Sequence, residues 1–432
     1  MSQLKSASII IVFVFFISCA PKEDSKKMIN NLAEDYVKLS LKCGVLDPDF
    51  VDAYHGPEEW RPSGNIKPDS QSLIKEAEEI LKQLRNINTS GFDELWNLRH
   101  QYLIKQTIAV KTRMEIVGGK KISFDEQTKL LFDVVVPEKT QEYFEGVKEE
   151  LNELLPGFGK LGDRLNNFRS QFIIPQNKLN DVFTAAIDEC RRRTKEFIDL
   201  PENENFSIEY VSDKPWGAYN WYKGNYYSLI QVNTDNPKYI DGALDLAAHE
   251  GYPGHHIYNL LFEKKLLNEL KWIEFSIYNL FSPQSFIAEG SANYGVNVAF
   301  SKEEKIKFEK EVLFPLAGLD VSKTEEFYKI MDLVGKLSFA GNAATRNLIN
   351  GEFSDEDFIE WIMKYELKTR ERAEQNLRFS KKYQSYVINY NLGEVLVEKY
   401  IENKITDSDE PAKKWKIFED LLSKPYTASE LQ

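Results

Sequence analysis

Three of the five histidines in this 432-residue chain fall inside eight residues, His249-Glu250-Gly251-Tyr252-Pro253-Gly254-His255-His256. A neutral imidazole is the commonest protein ligand for zinc. A glutamate beside such a ligand is placed to take a proton from a water that the metal activates. Five histidines scattered along a chain of this length rarely bunch in this way. The run points to hydrolysis at one zinc ion, with His249 as a ligand and Glu250 as general base.

The spacing departs from the HExxH pattern, whose second histidine follows four residues after the first on the same helix face. Position 253 here is Pro. Proline has no N–H, and its ring clashes with the carbonyl four residues back, which belongs to His249. A kink or bulge is therefore expected between the ligand positions. At about 100° per residue, an ideal helix puts His255 about 240° round from His249 and His256 only about 20° away. A two-residue bulge over Pro253-Gly254 would instead carry His255 to the place of the fourth residue. Gly254-His255 also resembles the Gly-His that ends the zinc motif of several helical metallopeptidases. His255 is taken as the second ligand and His256 as the alternative; the one left out would stand behind the metal or face the substrate.

A hydrolytic zinc needs a third protein ligand and an open position for water. Ser282-Pro283 reads as an N-cap followed by proline at the first helical position, opening a helix through about Phe300. Glu289 stands in it amid Phe286, Ile287, Ala288, Gly290 and Ala292, where a carboxylate is costly to bury unless paired or metal-bound. Glu289 is the expected third ligand. Gly290 and Ala292 would let a second helix approach closely.

The elements that must position these groups are mostly helical. Leu32, Tyr36 and Leu39 fall at helical spacing before Gly44 and Pro48, and further helices are expected over about 70–87, 92–117, 124–135, 140–155, 166–172 and 177–198. Residues 51–64 read as a loop, and His55 within it as a solvated histidine. Strand signals are confined to 207–211 and 226–234, with an aromatic cleft-lining loop expected over Trp216–Tyr222. The fold class expected is mainly α: a large helical fold enclosing a cleft, with a short antiparallel sheet next to the metal helix. The exposed edge of that sheet could take a peptide as an added strand. The metal helix would begin near Asp241. The chain divides on this reading into a helical region, 28–200, and a catalytic region, 201–432.

The N-terminus carries an address. Lys5 precedes an apolar run from Ala7 to Ile17, too short to span a bilayer and proportioned like a signal-peptide core. Cys19, directly after Phe16-Ile17-Ser18, resembles the lipidated cysteine of bacterial lipoproteins. Residues 1–18 would then be the signal, Cys19 the lipid anchor and 19–27 a charged tether holding the protein in the bacterial cell envelope. Cys43 and Cys190 remain, free or paired. With 42% hydrophobic and 13% aromatic residues the chain can bury a large core. Its net charge of −13, or −14 once Lys5 leaves with the signal, repels phosphate backbones and argues against nucleic acid as a partner. No protein partner is indicated.

The stretch from about Trp216 to Gly295 resembles the bacterial domain-of-unknown-function family 885, in which His-Glu-x-Tyr-Pro-Gly-His-His is followed by Glu-Gly-x-Ala-x-Tyr. His249–His256 and Glu289, Gly290, Ala292 and Tyr294 match the two motifs. That family is similar to the gluzincin metallopeptidases. The resemblance implies a helical fold, zinc held by two histidines and a glutamate, and cleavage of peptide bonds. It also implies roles near the C-terminus, where Arg378, Tyr390 and Gly393 match an arginine and a Tyr-x-x-Gly. Arg378 would bind a peptide carboxylate bidentately, and Tyr390, or else Tyr386, would stabilise the oxyanion. Lys382-Tyr383-Gln384-Ser385 lack the family's intervening Pro-Gly. Two other readings stand beside the peptidase: a lipid-anchored peptide-binding protein without turnover, and a zinc amidase on non-peptide substrates.

Overall fold

The computed structural model describes residues 20–64, 68–214, 216–405 and 411–432. The expected signal sequence and Cys19 lie outside the described residues.

The structure is mainly helical with short sheets. In the helix Ser70–Arg85, Leu73, Ala77, Ile80, Leu81 and Leu84 form one buried face. Asp69 caps it, its side chain accepting from Ser72 N at 2.9 Å. Helices Glu94–Val117 and Gln141–Leu154 are likewise capped by Asp93 and Thr140. The helix Pro283–Ala299 opens as its sequence demands, with Ser282 as N-cap and Pro283 in the first turn. One continuous apolar core takes side chains from Ile29 to Leu431, drawing on residues both before and after position 200.

Three expectations need correction. Residues 20–27, read as a tether, are the opening turns of the helix Ala20–Leu46, where Glu23 suits the positive end of the helix dipole. The loop expected over 51–64 contains strand β1 (Val51–Tyr54), which pairs antiparallel with β5 (Ile277–Asn279). Neither strand is long enough to show alternation in the sequence. The loop expected over Trp216–Tyr222 is largely strand β3 (Ala218–Tyr222). It pairs antiparallel with β4 (Tyr227–Asn233), which also pairs in parallel with β2 (Asn205–Val211), giving the order β2-β4-β3. Among the described residues β3 has no strand on its other side, so one edge stays open.

Candidate metal centre

The chain enters the site through the helix Asp241–Leu246 and then widens. Over Ala247–Gly251 the bonds run from i to i−5, with Tyr252 N donating to Ala247 O at 3.2 Å. The departure from α geometry thus begins before Pro253 instead of at it. Gly254 N then donates to Ala248 O at 2.9 Å, and a new helix, His255–Leu261, starts at once. Glycine is obligatory at this reversal: a Cβ at 254 would lie 2.0 Å from the carbonyl oxygen of His249. This path turns His249 and His255 toward each other, their rings edge to face with centroids 4.6 Å apart.

Glu289 completes the group. Its Oε2 lies 3.5 Å from His249 Nε2 and 3.6 Å from His255 Nε2. Potential ligand atoms of the three side chains all fall within 4.8 Å of one another. Two ligands each about 2.1 Å from a tetrahedral ion are about 3.4 Å apart, so the donor set and both distances from Glu289 suit zinc. Glu289 Oε2 is also buried with no hydrogen-bond partner, a costly state for a carboxylate oxygen unless something charged meets it.

Surrounding groups aim two of the three. His249 Nδ1 lies 2.8 Å from Asn293 Oδ1, so this nitrogen carries the proton and Nε2 keeps its lone pair for the centre. Asn293 is held in turn by donating to Tyr390 O at 3.0 Å. Tyr386 OH donates to Glu289 Oε1 at 2.8 Å. Burial drives His249 down to about 4, the neighbouring His255 adding to the shift. His255 goes the other way, to about 8: burial lowers it, and Glu289, with Glu250 and Asp52 adding, raises it by more. Glu289 is lowered, burial being overcome by the two histidines and Tyr386. Burial pushes Glu250 up to about 7, with His255 opposing and Glu289 adding.

His256 stands outside this group. It is fully buried between Ser228 Oγ at 2.8 Å from Nδ1 and Glu204 Oε1 at 3.0 Å from Nε2, where it ties the site segment to the sheet. Glu204, which also accepts from Tyr252 OH and from Arg191 at 2.8 Å, carried no signal in the sequence.

The centre opens into a cleft of about 1100 Å³. Glu250, Tyr390 and β3 line it, and Asn220 Nδ2 pins β3 over the centre by donating to Glu250 O at 2.6 Å. His55, read as solvated, lines the cleft as well, edge-on to Tyr222. Tyr386 and Tyr390 both line the cleft, and the Tyr386 hydroxyl is committed to Glu289, which leaves that of Tyr390 as the one not bound to a candidate ligand. Arg378 is exposed and does not line the cleft; Phe379 and Lys382 from the same helix, Arg370–Tyr383, do. The one-residue difference places Arg378 on the outer helix face. Cys43 and Cys190 are both buried and free.

No family model and no curated protein matches the chain, so the likeness to family 885 rests on the motifs quoted above. Solved structures are similar to it, among them two bacterial proteins. One is a candidate lipoprotein from Colwellia psychrerythraea, 15% identical with a TM-score of 0.49, over 82% of this chain and 70% of that one. The other is a candidate lipoprotein of unknown function from Shewanella oneidensis, 12% identical with a TM-score of 0.43, over 82% and 72%. Among the described residues no helix is long and apolar enough to cross a membrane.

Proposed function

We propose that the protein is a zinc-dependent hydrolase of peptide bonds, held in the bacterial cell envelope by a lipid on Cys19. The observation that carries the chemistry is the buried, unpartnered Oε2 of Glu289, set 3.5 and 3.6 Å from two imidazole nitrogens. His249 and His255 through Nε2, and Glu289 through Oε2, would hold one zinc ion. When bound, zinc supplies a Lewis acid for the scissile carbonyl and acidifies a water.

The chain's own groups do the rest. Glu250, next in sequence to a ligand and lining the cleft, takes the proton of the attacking water and returns it to the departing amine. Tyr390 donates to the carbonyl oxygen as negative charge develops there. Asn293 and Tyr386 keep a ligand each in place. The open edge of β3 takes the peptide in extended form, its backbone groups pairing with the strand.

Digestion of a peptide library by the zinc-loaded protein tests this reading. The wild type is expected to cleave and Glu250→Gln to bind zinc without cleaving. Peptide binding with no cleavage in either would favour a binding protein, and hydrolysis of non-peptide amides alone would favour an amidase. Release of Cys19→Ser from the membrane fraction checks the anchor.

A further inference from the structure

We infer that Asp52 sets the specificity of this cleft by anchoring a cationic group of the substrate, a terminal ammonium or the side chain of a basic residue. The inference rests on the proposed peptide substrate and deepens it.

Asp52 sits on β1, across from β3, and lines the same cleft as His255 and Glu289. Its Oδ1 accepts from Tyr219 OH on β3. Its Oδ2 has no hydrogen-bonding partner among the described residues. Neither His249 nor His255 hydrogen-bonds to it, so it is not a prop for a ligand. The other aspartates on the cleft wall are already neutralised: Asp49 pairs with Lys382 at 3.0 Å, and Asp245 with Lys305. No lysine or arginine among the described residues forms an ion pair with Asp52. Burial raises its carboxyl above the ordinary range, with Tyr219 and His255 opposing and Glu289 adding. A half-buried carboxyl that faces a cleft with one oxygen unbonded and no ion pair to lysine or arginine is a place for a ligand cation.

The neighbouring rings suit the same class of ligand. Tyr219 packs against Trp216 at 5.6 Å and Trp221 at 4.6 Å between centroids, and all three line the cleft. Aromatic faces beside a carboxylate attract ammonium and guanidinium groups. Arg378, the expected carboxylate binder, is on the outer surface.

The test is calorimetric titration in a non-cleaving background, Glu250→Gln with and without Asp52→Asn. The probes are one short peptide sequence with a free amino terminus, the same with an acetylated terminus, and the same with lysine replaced by norleucine. With Asp52 present, at least one cationic form should bind about tenfold or more tightly than its neutral counterpart. The asparagine variant should bind both forms alike, with its zinc content and neutral-peptide affinity unchanged. Which of the two replacements abolishes the preference tells terminal ammonium from basic side chain. Equal binding by the Asp52 protein, a preference that survives Asp52→Asn, or zinc lost on that substitution would overturn the inference. A protein that prefers cations through Asp52 yet cleaves nothing as wild type would sink the hydrolase reading and leave this one standing.

Discussion

Gly290 and Gly393 meet backbone to backbone where the helices Pro283–Ala299 and Ile388–Glu402 cross. A Cβ on Gly290 would lie 2.5 Å from the carbonyl carbon of Gly393, and one on Gly393 would lie 2.9 Å from Gly290 Cα. The contact brings the helix bearing Glu289 against the one that follows Tyr386. Alanine at either position would favour each helix by about 1 kcal/mol in isolation. Overpacking here should reverse that sign, so Gly290→Ala and Gly393→Ala are expected to lose about 1–3 kcal/mol in denaturant unfolding. Both should also bind zinc less tightly, because Glu289 is the residue next to the contact. A neutral or stabilising alanine would mean that the helices have room to spare.

Two tyrosines one helical turn apart should fail differently. Tyr386→Phe removes the hydroxyl that holds Glu289 Oε1. It should weaken zinc binding about 10–100-fold in a competitive chelator titration. Tyr390→Phe should leave zinc affinity alone and lower kcat by about 10²–10³. Identical behaviour of the two would contradict their assigned roles.

Glu204 gives the fold a defined response to acid. Although burial opposes it, hydrogen bonds from His256, Tyr252 and Arg191 bring its carboxyl from 4.5 down to about 2. A carboxylate depressed on folding stabilises above its unfolded pKa and ceases to as the pH falls through the folded one. The stability difference between wild type and Glu204→Gln should therefore be full above about pH 4.5 and vanish towards pH 2. Chemical unfolding at stepped pH reads this directly, with a difference of about 1–3 kcal/mol at neutral pH. A gap independent of pH would show that the charge of Glu204 is not what stabilises.

Much of this site was legible in the sequence because it is local. His249, Glu250 and His255 lie in one short run, and Glu289 stood out as a carboxylate among apolar residues. The helices were equally readable from caps and 3.6-residue periodicity. What remained hidden depends on long-range contact. Val51–Tyr54 and Ile277–Asn279 are strands only because they find each other, more than 200 positions apart. Asp52 looks like any loop aspartate until β1 faces the cleft. Pro253 announced a break, but the break begins at Ala247, since the widened turn before it is set by carbonyls that Gly254 and Tyr252 satisfy. Arg378 and Lys382 share a helix, and only its packing decides which one turns inward.

Glu250 should control the acid side of the activity profile. A general base must be ionised, and burial pushes this carboxyl up to about 7. A bound cation draws it lower, so kcat/KM is expected to fall on acidification with an apparent pKa at or below about 7. An acid limb above that value, or full activity in Glu250→Gln, would rule the residue out as the base.

The most direct test of the central claim is the zinc content of the purified soluble protein, residues 28–432, compared across single alanine substitutions. Wild type and His256→Ala are expected to carry close to one zinc per chain, the latter with lowered stability. His249→Ala, His255→Ala and Glu289→Ala are expected to lose it. A wild type that takes up no zinc on reconstitution, or a protein that keeps its zinc without His255 and loses it without His256, would contradict the account.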